Sequence, residues 1–365
     1  MKFKLALMTL SLACASAALA GFDEGMRAYT QGDYATALRE LRPLAQQGSA
    51  KAQFNLGVMY AKGQGVPRDE AQALDWYRKA AEQGLAIAQG NLGVMYQNGQ
   101  GVPKDDRQAM AWFRKAADQG DATAQYNVGL MHANGQGVTK SDVLAAEWYR
   151  KAADQGLAIA QGNLGGLYRS GRGVAKDDRQ AVQWLLKAAE QGDATSQFNL
   201  AGMYKAGEGV AQDYRQAAQW YQKAADQGDF DAKYSLGNMY RLGLGVLQDD
   251  LKALDLYRQA ASQGNSFAMS TLAWMYERER GVPRDLVVAH ALYNLAAAAG
   301  QDKAQASRDH LTDKLTRPQL LEAQTLAAVW VVGQPVPASS QTGLADAAKT
   351  GCPNTVAATT AVPTR

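Results

Sequence analysis

The sequence has few of the residues from which metal sites and disulfide frameworks are built. Its 365 residues include two cysteines, Cys14 and Cys352, and three histidines, His132, His290 and His310. The histidines lie far apart and no closely spaced Cys/His set is present, so we expect no zinc site and no cofactor. If residues 1–20 are removed, one cysteine remains, which excludes an internal disulfide bond.

An excess of charge of one sign is also missing. The formal net charge is +3, and removal of Lys2 and Lys4 with the first residues leaves +1 (3 − 2). Proteins that bind nucleic acids or anionic membranes usually have a strongly basic surface. We therefore expect no nucleic-acid partner.

Residues 1–20 have the features of a bacterial signal peptide. Lys2 and Lys4 precede a short apolar stretch, and Ala18-Leu19-Ala20 offers a small-x-small cleavage site. The apolar stretch is too short to span a bilayer, so a membrane-spanning protein is not expected. The mature chain is expected to begin at Gly21 and to be periplasmic or secreted.

A lipoprotein is the alternative for this segment. Leu12-Ala13-Cys14 is similar to part of a lipobox, which would make Cys14 the lipidated residue. Ser11 stands where a larger aliphatic residue is wanted, which favours the cleavable signal peptide.

A 36-residue unit occurs seven times between residues 49 and 300, without insertion or deletion. Its marker is a glycine that closes an Ala-Ala-x-Gln-Gly run. This glycine recurs at Gly84, Gly120, Gly156, Gly192, Gly228 and Gly264, with Gly48 and Gly300 in the same phase. A fixed period predicts a solenoid in which each unit contacts its neighbours, and it argues against an enzyme pocket.

Each unit predicts two helices. In the first unit, apolar residues such as Leu56 and Met59 recur at helical spacing and predict helix A over about residues 50–62. Gly63 and Gly65 then end it. Helix B follows an N-cap aspartate at Asp69. The same cap position holds Asp105, Ser141, Asp177, Asp213, Asp249 and Asp285.

Two columns of residues predict how the helices pack. A glycine inside helix A recurs at Gly57, Gly93, Gly129, Gly165 and Gly237, which indicates a crossing with no room for a Cβ atom. A tryptophan of helix B recurs at Trp76, Trp112, Trp148, Trp184 and Trp220 and continues as Leu256 and Leu292. We expect these side chains to fill the space between successive helix pairs.

The turn Tyr60-x-x-Gly63-x-Gly65-Val66 and the closing run Trp76-Tyr77-x-x-Ala80-Ala81-x-x-Gly84 resemble the Sel-1-like repeat family, 36-residue relatives of the tetratricopeptide repeat. The resemblance covers residues 49–300. It implies an all-α fold, a right-handed α-solenoid of repeated antiparallel helix pairs. It also implies a scaffold that binds other proteins.

The flanking segments are predicted to cap this array. Residues 21–48 resemble a tetratricopeptide-like half repeat, and residues 301–330 predict C-terminal capping helices. Residues 331–365 are rich in Pro, Ser, Thr, Ala and Gly and are expected to be disordered. In the last unit Glu279 replaces the first turn glycine, so we expect a differently shaped loop there.

Catalysis is not expected. Some relatives in the family are described as penicillin-binding or β-lactamase-like, and Lys349-Thr350-Gly351 matches one motif of serine penicillin-recognising enzymes. However, the chain contains no Ser-x-x-Lys, the motif that supplies the nucleophile and its basic neighbour. A β-lactamase-like activity is therefore the remote alternative.

The candidate binding surface is the face of helix A opposite its core residues. It carries large apolar residues where a solvated face would be polar, and we expect them to lie away from the core of their own repeat and to line a groove. The candidate residues are Phe54, Val58, Tyr126, Leu130, Phe198, Tyr234 and Trp274. Packing against the next repeat is the alternative for each of them.

A column of amides borders this face. It consists of Asn55, Asn91, Asn127, Asn163 and Asn199, followed by Ser235 and Thr271. An amide both donates and accepts hydrogen bonds, so the column predicts either a contact to an extended peptide or bonds between neighbouring turns. Two functions follow. The first is an exported scaffold that binds protein or peptide, and the second is an envelope component that binds peptidoglycan or exopolysaccharide.

Overall fold

The computed structural model describes residues 20–340, and within them every regular element is a helix. The helices are α1 (20–30), α2 (Tyr34–Gln46), α3 (Ala50–Lys62), α4 (Glu70–Glu82), α5 (Ala86–Asn98), α6 (Asp106–Asp118), α7 (Ala122–Asn134), α8 (Asp142–Asp154), α9 (Ala158–Ser170), α10 (Asp178–Glu190), α11 (Ala194–Ala206), α12 (Tyr214–Asp226), α13 (Phe230–Leu242), α14 (Asp250–Ser262), α15 (Ser266–Arg278), α16 (Leu286–Ala298), α17 (Asp302–Thr312) and α18 (Arg317–Val329). Residues 1–19, which belong to the predicted signal peptide, and residues 341–365 lie outside the described residues.

Helix B begins in each repeat at the predicted cap. The Asp69 carboxylate accepts a hydrogen bond of 2.9 Å from the backbone N–H of Gln72, which satisfies one of the unpaired donors at the helix start. The cap residues of the other six repeats make the same kind of bond. The predicted positions of the helix B caps are thus confirmed.

Helix A ends at a residue with left-handed backbone geometry. Gly63 has φ 68° and ψ 37° there, a conformation that costs other residues about 1–2 kcal/mol. Glu279 adopts the same conformation in the last repeat, with φ 56° and ψ 41°. The expectation of a differently shaped loop at Glu279 is therefore wrong, because the repeat imposes its turn on a non-glycine residue.

Two compact units divide the described chain, one ending at Ala188 and the other beginning at Ala189. In the first unit α3 packs on α4, α5 on α6 and α7 on α8, and each pair packs on the next. In the second unit the pairs are α11 with α12, α13 with α14, and α15 with α16, and α17 and α18 cover α16. The fold is an all-α solenoid, as predicted.

Close approach inside each pair explains the glycine column. A Cβ atom on Gly57 would lie 2.7 Å from Cδ1 of Tyr77 in α4, a distance that real Cβ contacts do not reach. Gly93, Gly129, Gly165 and Gly237 meet a helix B side chain in the same way, at 2.7–2.8 Å. The predicted absence of room for a Cβ atom is confirmed.

The tryptophan column packs against the preceding repeat. Trp148 is 5% exposed and joins a buried cluster with Met131 and Ala116. A lysine three residues later covers each indole, and the Nζ of Lys151 lies 3.8 Å from the Trp148 ring centroid. The same pairing recurs at Trp76, Trp112, Trp184 and Trp220, at 3.8–4.2 Å.

The segment after α18 returns to the second unit. Residues 331–339 contain no helix, but they are tied to this unit: Gly333 donates a backbone hydrogen bond of 2.7 Å to the Ser262 carbonyl oxygen, and the Ser339 hydroxyl donates to the Asp285 carboxylate. Sequence analysis placed the start of a disordered tail at residue 331. The described part of that segment instead lies against α14 and α16.

None of the helices among residues 20–340 has the length and apolar character needed to cross a bilayer.

Candidate functional site

Aromatic residues of the candidate face lie against the core. The Phe54 and Tyr77 ring centroids are 5.7 Å apart, and the Tyr126 ring stacks on Tyr149 at 5.6 Å. Phe198 meets Tyr221 at 5.6 Å and Tyr234 meets Tyr257 at 5.8 Å. In each pair a half-buried ring of helix A rests on a buried tyrosine of helix B in the same repeat.

This arrangement corrects the expectation that the aromatic residues lie away from the core of their own repeat. Because glycine occupies the helix crossing, or Ala201 in the repeat of Phe198, the helix B tyrosine passes under helix A and reaches the ring on its flank. The candidate rings therefore have one face on the core and part of the other face in solvent. Val58 and Leu130 are likewise half-buried and pack on the clusters around Tyr77 and Tyr149.

Other apolar side chains of the face are more exposed. Ile87, Val94 and Ile159 in the first unit are 50%, 36% and 45% exposed, and Phe267 in the second unit is 59% exposed. Exposed apolar residues in succession on one face are typical of interaction surfaces. Each unit thus has its own apolar face on helix A.

The amide column makes contacts within the protein. The Nδ2 atoms of Asn55 and Asn163 donate at 2.8 Å to the carbonyl oxygens four residues earlier in their own helices. Asn91 hydrogen bonds the hydroxyl of Tyr77 in the preceding repeat. Asn127 and Asn199 are half-buried at the same position. Asn91 thus supports the alternative in which the column bonds neighbouring turns.

Part of the first unit's face forms a small concavity of about 220 Å3. Tyr77, Asn91 and Val94 line it, together with Arg68 and Glu70, which form an ion pair of 2.5 Å at its edge. Burial raises the pKa of Tyr77 to about 12. The tyrosine is therefore a neutral hydroxyl at physiological pH and acts here as a hydrogen-bonding group.

The second unit's face carries a larger concavity of about 450 Å3 around Trp274. Phe267 and Thr271 line it from α15, and Lys303 lines it from α17. The Phe267 ring also lies 6.0 Å from the Tyr234 ring, which continues the aromatic surface onto α13. Among the candidate residues, Trp274 and Tyr234 are thus brought onto one continuous surface.

Arg241 supplies a fixed positive charge at this concavity. Its guanidinium carbon lies 5.7 Å from the Trp274 ring centroid, within cation–π range. Its Nε donates to the Tyr257 hydroxyl at 3.3 Å, and Tyr257 donates in turn to Asn238 at 2.9 Å. Burial raises the pKa of Tyr257 to about 12. The arginine is therefore oriented by neutral partners and keeps N–H groups for a ligand.

Sequence reasoning missed Arg241 and also a column of buried glutamines. Gln53, Gln89, Gln125, Gln161 and Gln197 are each at most 6% exposed, and each donates through Nε2 to a carbonyl oxygen eight residues earlier. The signal was available, since glutamine recurs at a fixed place among the core residues of helix A. The carbonyl partners of these glutamines lie on the preceding helix B, so the bonds could be predicted only with knowledge of how the two helices cross.

Chemistry of other kinds gains no support from the described residues. Among residues 20–340 no group of three or more His, Cys, Asp and Glu side chains is arranged to hold a metal ion. His290 is buried beside Thr312, and His310 is exposed. Cys14, Cys352 and Lys349-Thr350-Gly351 lie outside the described residues.

The paired helices, the left-handed glycine turns and the 36-residue period define an all-α repeat protein with an apolar face on helix A. The chain belongs to the Sel1 repeat family, whose pattern matches residues 50–85, 86–121, 122–157, 158–193, 194–229, 230–265 and 266–301. Proteins of this family generally mediate protein–protein interactions and are generally not catalytic, and nothing in the match supports a glycan partner.

Solved structures of the same family resemble this chain over most of its length. A Sel1 repeat protein from Oxalobacter formigenes is 34% identical, with a TM-score of 0.63 over 81% of this chain and 90% of its own. The protective antigen c5321 of uropathogenic Escherichia coli, with an SLR fold, is 30% identical, with a TM-score of 0.54 over 98% of this chain and 99% of its own. No protein with a curated functional description matches the sequence.

Proposed function

We propose that this protein is a non-enzymatic scaffold that binds a protein or peptide partner on the helix A face, with the Trp274 concavity of the second unit as the main contact site. The observation that carries the proposal is the combination at this place of an accessible aromatic pair, Trp274 and Phe267, with an oriented guanidinium at Arg241. Tryptophan and arginine are the residues that most often dominate protein interfaces.

The charges that line the Trp274 concavity indicate what kind of partner it binds. Arg241 and Lys303 are the cations that line the concavity, and the remaining lining residues are apolar or neutral. A carboxylate next to an apolar side chain complements such a surface, because the guanidinium keeps free N–H donors and the rings supply apolar area. The partner is therefore a segment that carries an acidic and an apolar residue close together.

Affinity capture with the purified full chain tests the proposal. The double variant F267A/W274A should capture the wild-type partner at least about 30-fold more weakly, since two central contacts are worth about 2 kcal/mol or more. Leu247→Ala is the matched control, because Leu247 is 89% exposed in the α13–α14 loop and lies outside the concavity. Equal capture by wild type and F267A/W274A, with both folded, would contradict the proposal. Binding to purified sacculi instead of protein would favour the envelope-glycan hypothesis.

We also propose that the chain is exported. Support comes from the signal-like composition of residues 1–20 and from the similarity to a protein described as a protective antigen. Intact-mass measurement of the protein from a bacterial host should give a mature chain that begins at Gly21. A diacylated Cys14 would support the lipoprotein alternative, and an unprocessed cytoplasmic chain would refute export.

A further inference from the structure

The tryptophan column is interrupted in the second unit. Leu256 of α14 stands where Trp76, Trp112, Trp148, Trp184 and Trp220 stand in the first five repeats, and Leu292 follows in the seventh. Trp148, Trp184 and Trp220 are 5–8% exposed, whereas Leu256 is half-buried, as are Trp76 and Trp112. Leucine is smaller than tryptophan, so the space that an indole fills elsewhere is open to solvent here.

The open space is a cavity of about 570 Å3 between α12 and α14. Ala225, Tyr240 and Leu256 line it, and these positions match the alanine, tyrosine and tryptophan positions that meet in the other repeats. Leu251, which is 67% exposed, adds apolar surface at the entrance. The cavity therefore includes the place that an indole ring takes in the first five repeats.

Two further substitutions accompany the missing indole. The lysine that covers each indole in the earlier repeats is replaced by Gln259, and the buried glutamine of helix A is replaced by Lys233. Lys233 is 9% exposed and lines the cavity, and its Nζ lies 3.1 Å from the Gln263 side-chain oxygen when that amide is oriented to satisfy both neighbours. A buried ammonium in the cavity wall offers hydrogen-bond donors for a backbone carbonyl oxygen.

Polar groups suited to an indole surround the opening. The carboxylates of Asp226 and Asp255 each accept a 2.8 Å hydrogen bond from a neighbouring glutamine, Gln222 and Gln259, and retain further acceptor capacity. Lys252 lies at the entrance with its Nζ 5.2 Å from the Tyr240 ring centroid. A cation and two acceptors beside the apolar side chains of Ala225, Tyr240 and Leu256 match the ring face and the N–H of tryptophan.

The groove one repeat further on, between α14 and α16, is occupied by a segment of this protein. Here Arg258, Ser262 and Tyr276 occupy the positions of Gln222, Asp226 and Tyr240. There the protein's own residues 335–338 lie across the groove. Backbone of this segment bonds α14, through Gly333 to Ser262. An extended, proline-containing segment therefore fits between successive B helices.

We propose that the cavity between α12 and α14 binds an aromatic side chain, tryptophan above all, carried by an extended segment of a partner protein. The site lies on helix B, apart from the Trp274 concavity. This inference rests on the proposed function in one respect, which is that the ligand is a segment of another protein. An aromatic side chain from outside would replace the indole that the sequence lacks at residue 256.

The test uses the full chain with methyl-labelled leucine and two small probes, N-acetyltryptophanamide and N-acetylleucinamide. The methyl resonances of Leu251 should shift with the tryptophan probe, and its Kd should be at least about fivefold lower than that of the leucine probe. Leu256→Trp should fill the cavity, raise the melting temperature and abolish the shift. Leu247→Trp is the matched control, because it adds an indole on an exposed loop. This variant should bind the tryptophan probe with the same Kd as the wild type.

A gain of binding completes the test. Trp148→Leu opens the same space in the first unit, in a column that already tolerates leucine at residues 256 and 292, and it should create a second site for the tryptophan probe. The proposal is overturned if the wild type shows no Leu251 shift, or if Leu256→Trp binds as well as the wild type. If Leu256→Trp does not fold, the Trp148→Leu result decides alone. Partner capture by F267A/W274A is a separate readout, so the two proposals can fail independently.

Discussion

The Nε2 of Gln83, at the end of α4, donates a 2.7 Å hydrogen bond to the side-chain oxygen of Gln53, 30 residues earlier in α3. Gln53 donates in turn to the carbonyl oxygen of Ala45 at the end of α2. One buried amide thus joins three consecutive helices. Gln89 and Gln125 make the equivalent pairs of bonds with Gln119 and Gln155 in the following repeats.

Removal of one buried amide should destabilise the array. Gln125→Leu keeps the side-chain size but leaves the Ala117 carbonyl oxygen and the Gln155 amide without their partner. The Ala117 oxygen keeps its bond from the Gly120 N–H and Gln155 is exposed, so we expect a loss of about 1–2 kcal/mol in the free energy of unfolding, the net worth of two hydrogen bonds. Denaturant unfolding measures it. Gln108→Leu, at an exposed position of α6, is the control and should change stability little. Equal stability of the two variants would show that the amide bonds add nothing.

Two glycines of successive A helices give predictions of opposite sign. Gly129→Ala places a Cβ atom 2.7 Å from Cδ1 of Tyr149 and should cost about 1–3 kcal/mol through overpacking. Gly166→Ala, in the helix of the next repeat, meets no atom within 4 Å and should stabilise the protein by about 0.5–1 kcal/mol, because alanine favours the helix. Thermal unfolding of both variants tests the helix crossing, and a stabilised Gly129→Ala would contradict it.

Tryptophan truncation should depend on position in the array. Trp148→Ala removes a 5% exposed side chain with repeats on both sides, and we expect a loss of about 3–5 kcal/mol. Trp330, which follows α18, is only half-buried, so Trp330→Ala should cost less. Denaturant unfolding of the two variants compares them. A Trp148→Ala protein with the unfolding curve of the wild type would refute the packing described for this column.

His290 should make stability depend on pH. Burial and the nearby Arg308 lower the pKa of His290 below its ordinary value of 6.5, because both disfavour the charged ring. His290 therefore binds a proton more readily in the unfolded chain than in the folded one. Its neutral form contributes fully to the free energy of unfolding above about pH 6.5. That stability is lost as the pH falls through the unfolded pKa towards the folded one.

The melting temperature should accordingly fall between pH 7.5 and 5.5, and His290→Asn should reduce that fall. The exposed His310 provides the control, and His310→Gln should leave the pH dependence unchanged. A wild-type melting temperature that does not fall over this range would contradict the role of His290.

Local signals predicted most of the fold. The helix B caps, such as Asp69, and the crossing glycines, such as Gly57, were read correctly because each depends on geometry within one turn or one recurring contact. The conformation at Glu279 was misjudged. The turn is set by the surrounding repeat and not by the residue's own preference.

The candidate site was less accessible to sequence reasoning. The face of helix A could be chosen from its periodicity, but whether Tyr126 points to solvent depends on Tyr149, which lies 23 residues further on and reaches it only through the helix crossing. Arg241 is unremarkable in sequence and becomes a site residue because it lies beside Trp274, one repeat away. The first case was decided by a contact between the two helices of one repeat, and the second by a contact between neighbouring repeats.

The constant spacing of the glutamine bonds has an evolutionary consequence. Gln83 meets Gln53, Gln119 meets Gln89 and Gln155 meets Gln125, always across 30 residues. A gene deletion or duplication of 36 codons within this region therefore rejoins donor and acceptor of the same kind, whereas one of 35 or 37 codons puts the donor and acceptor on either side of the junction out of register. Unequal recombination can thus change the number of repeats in the lineage without any compensating substitution in the bonded column.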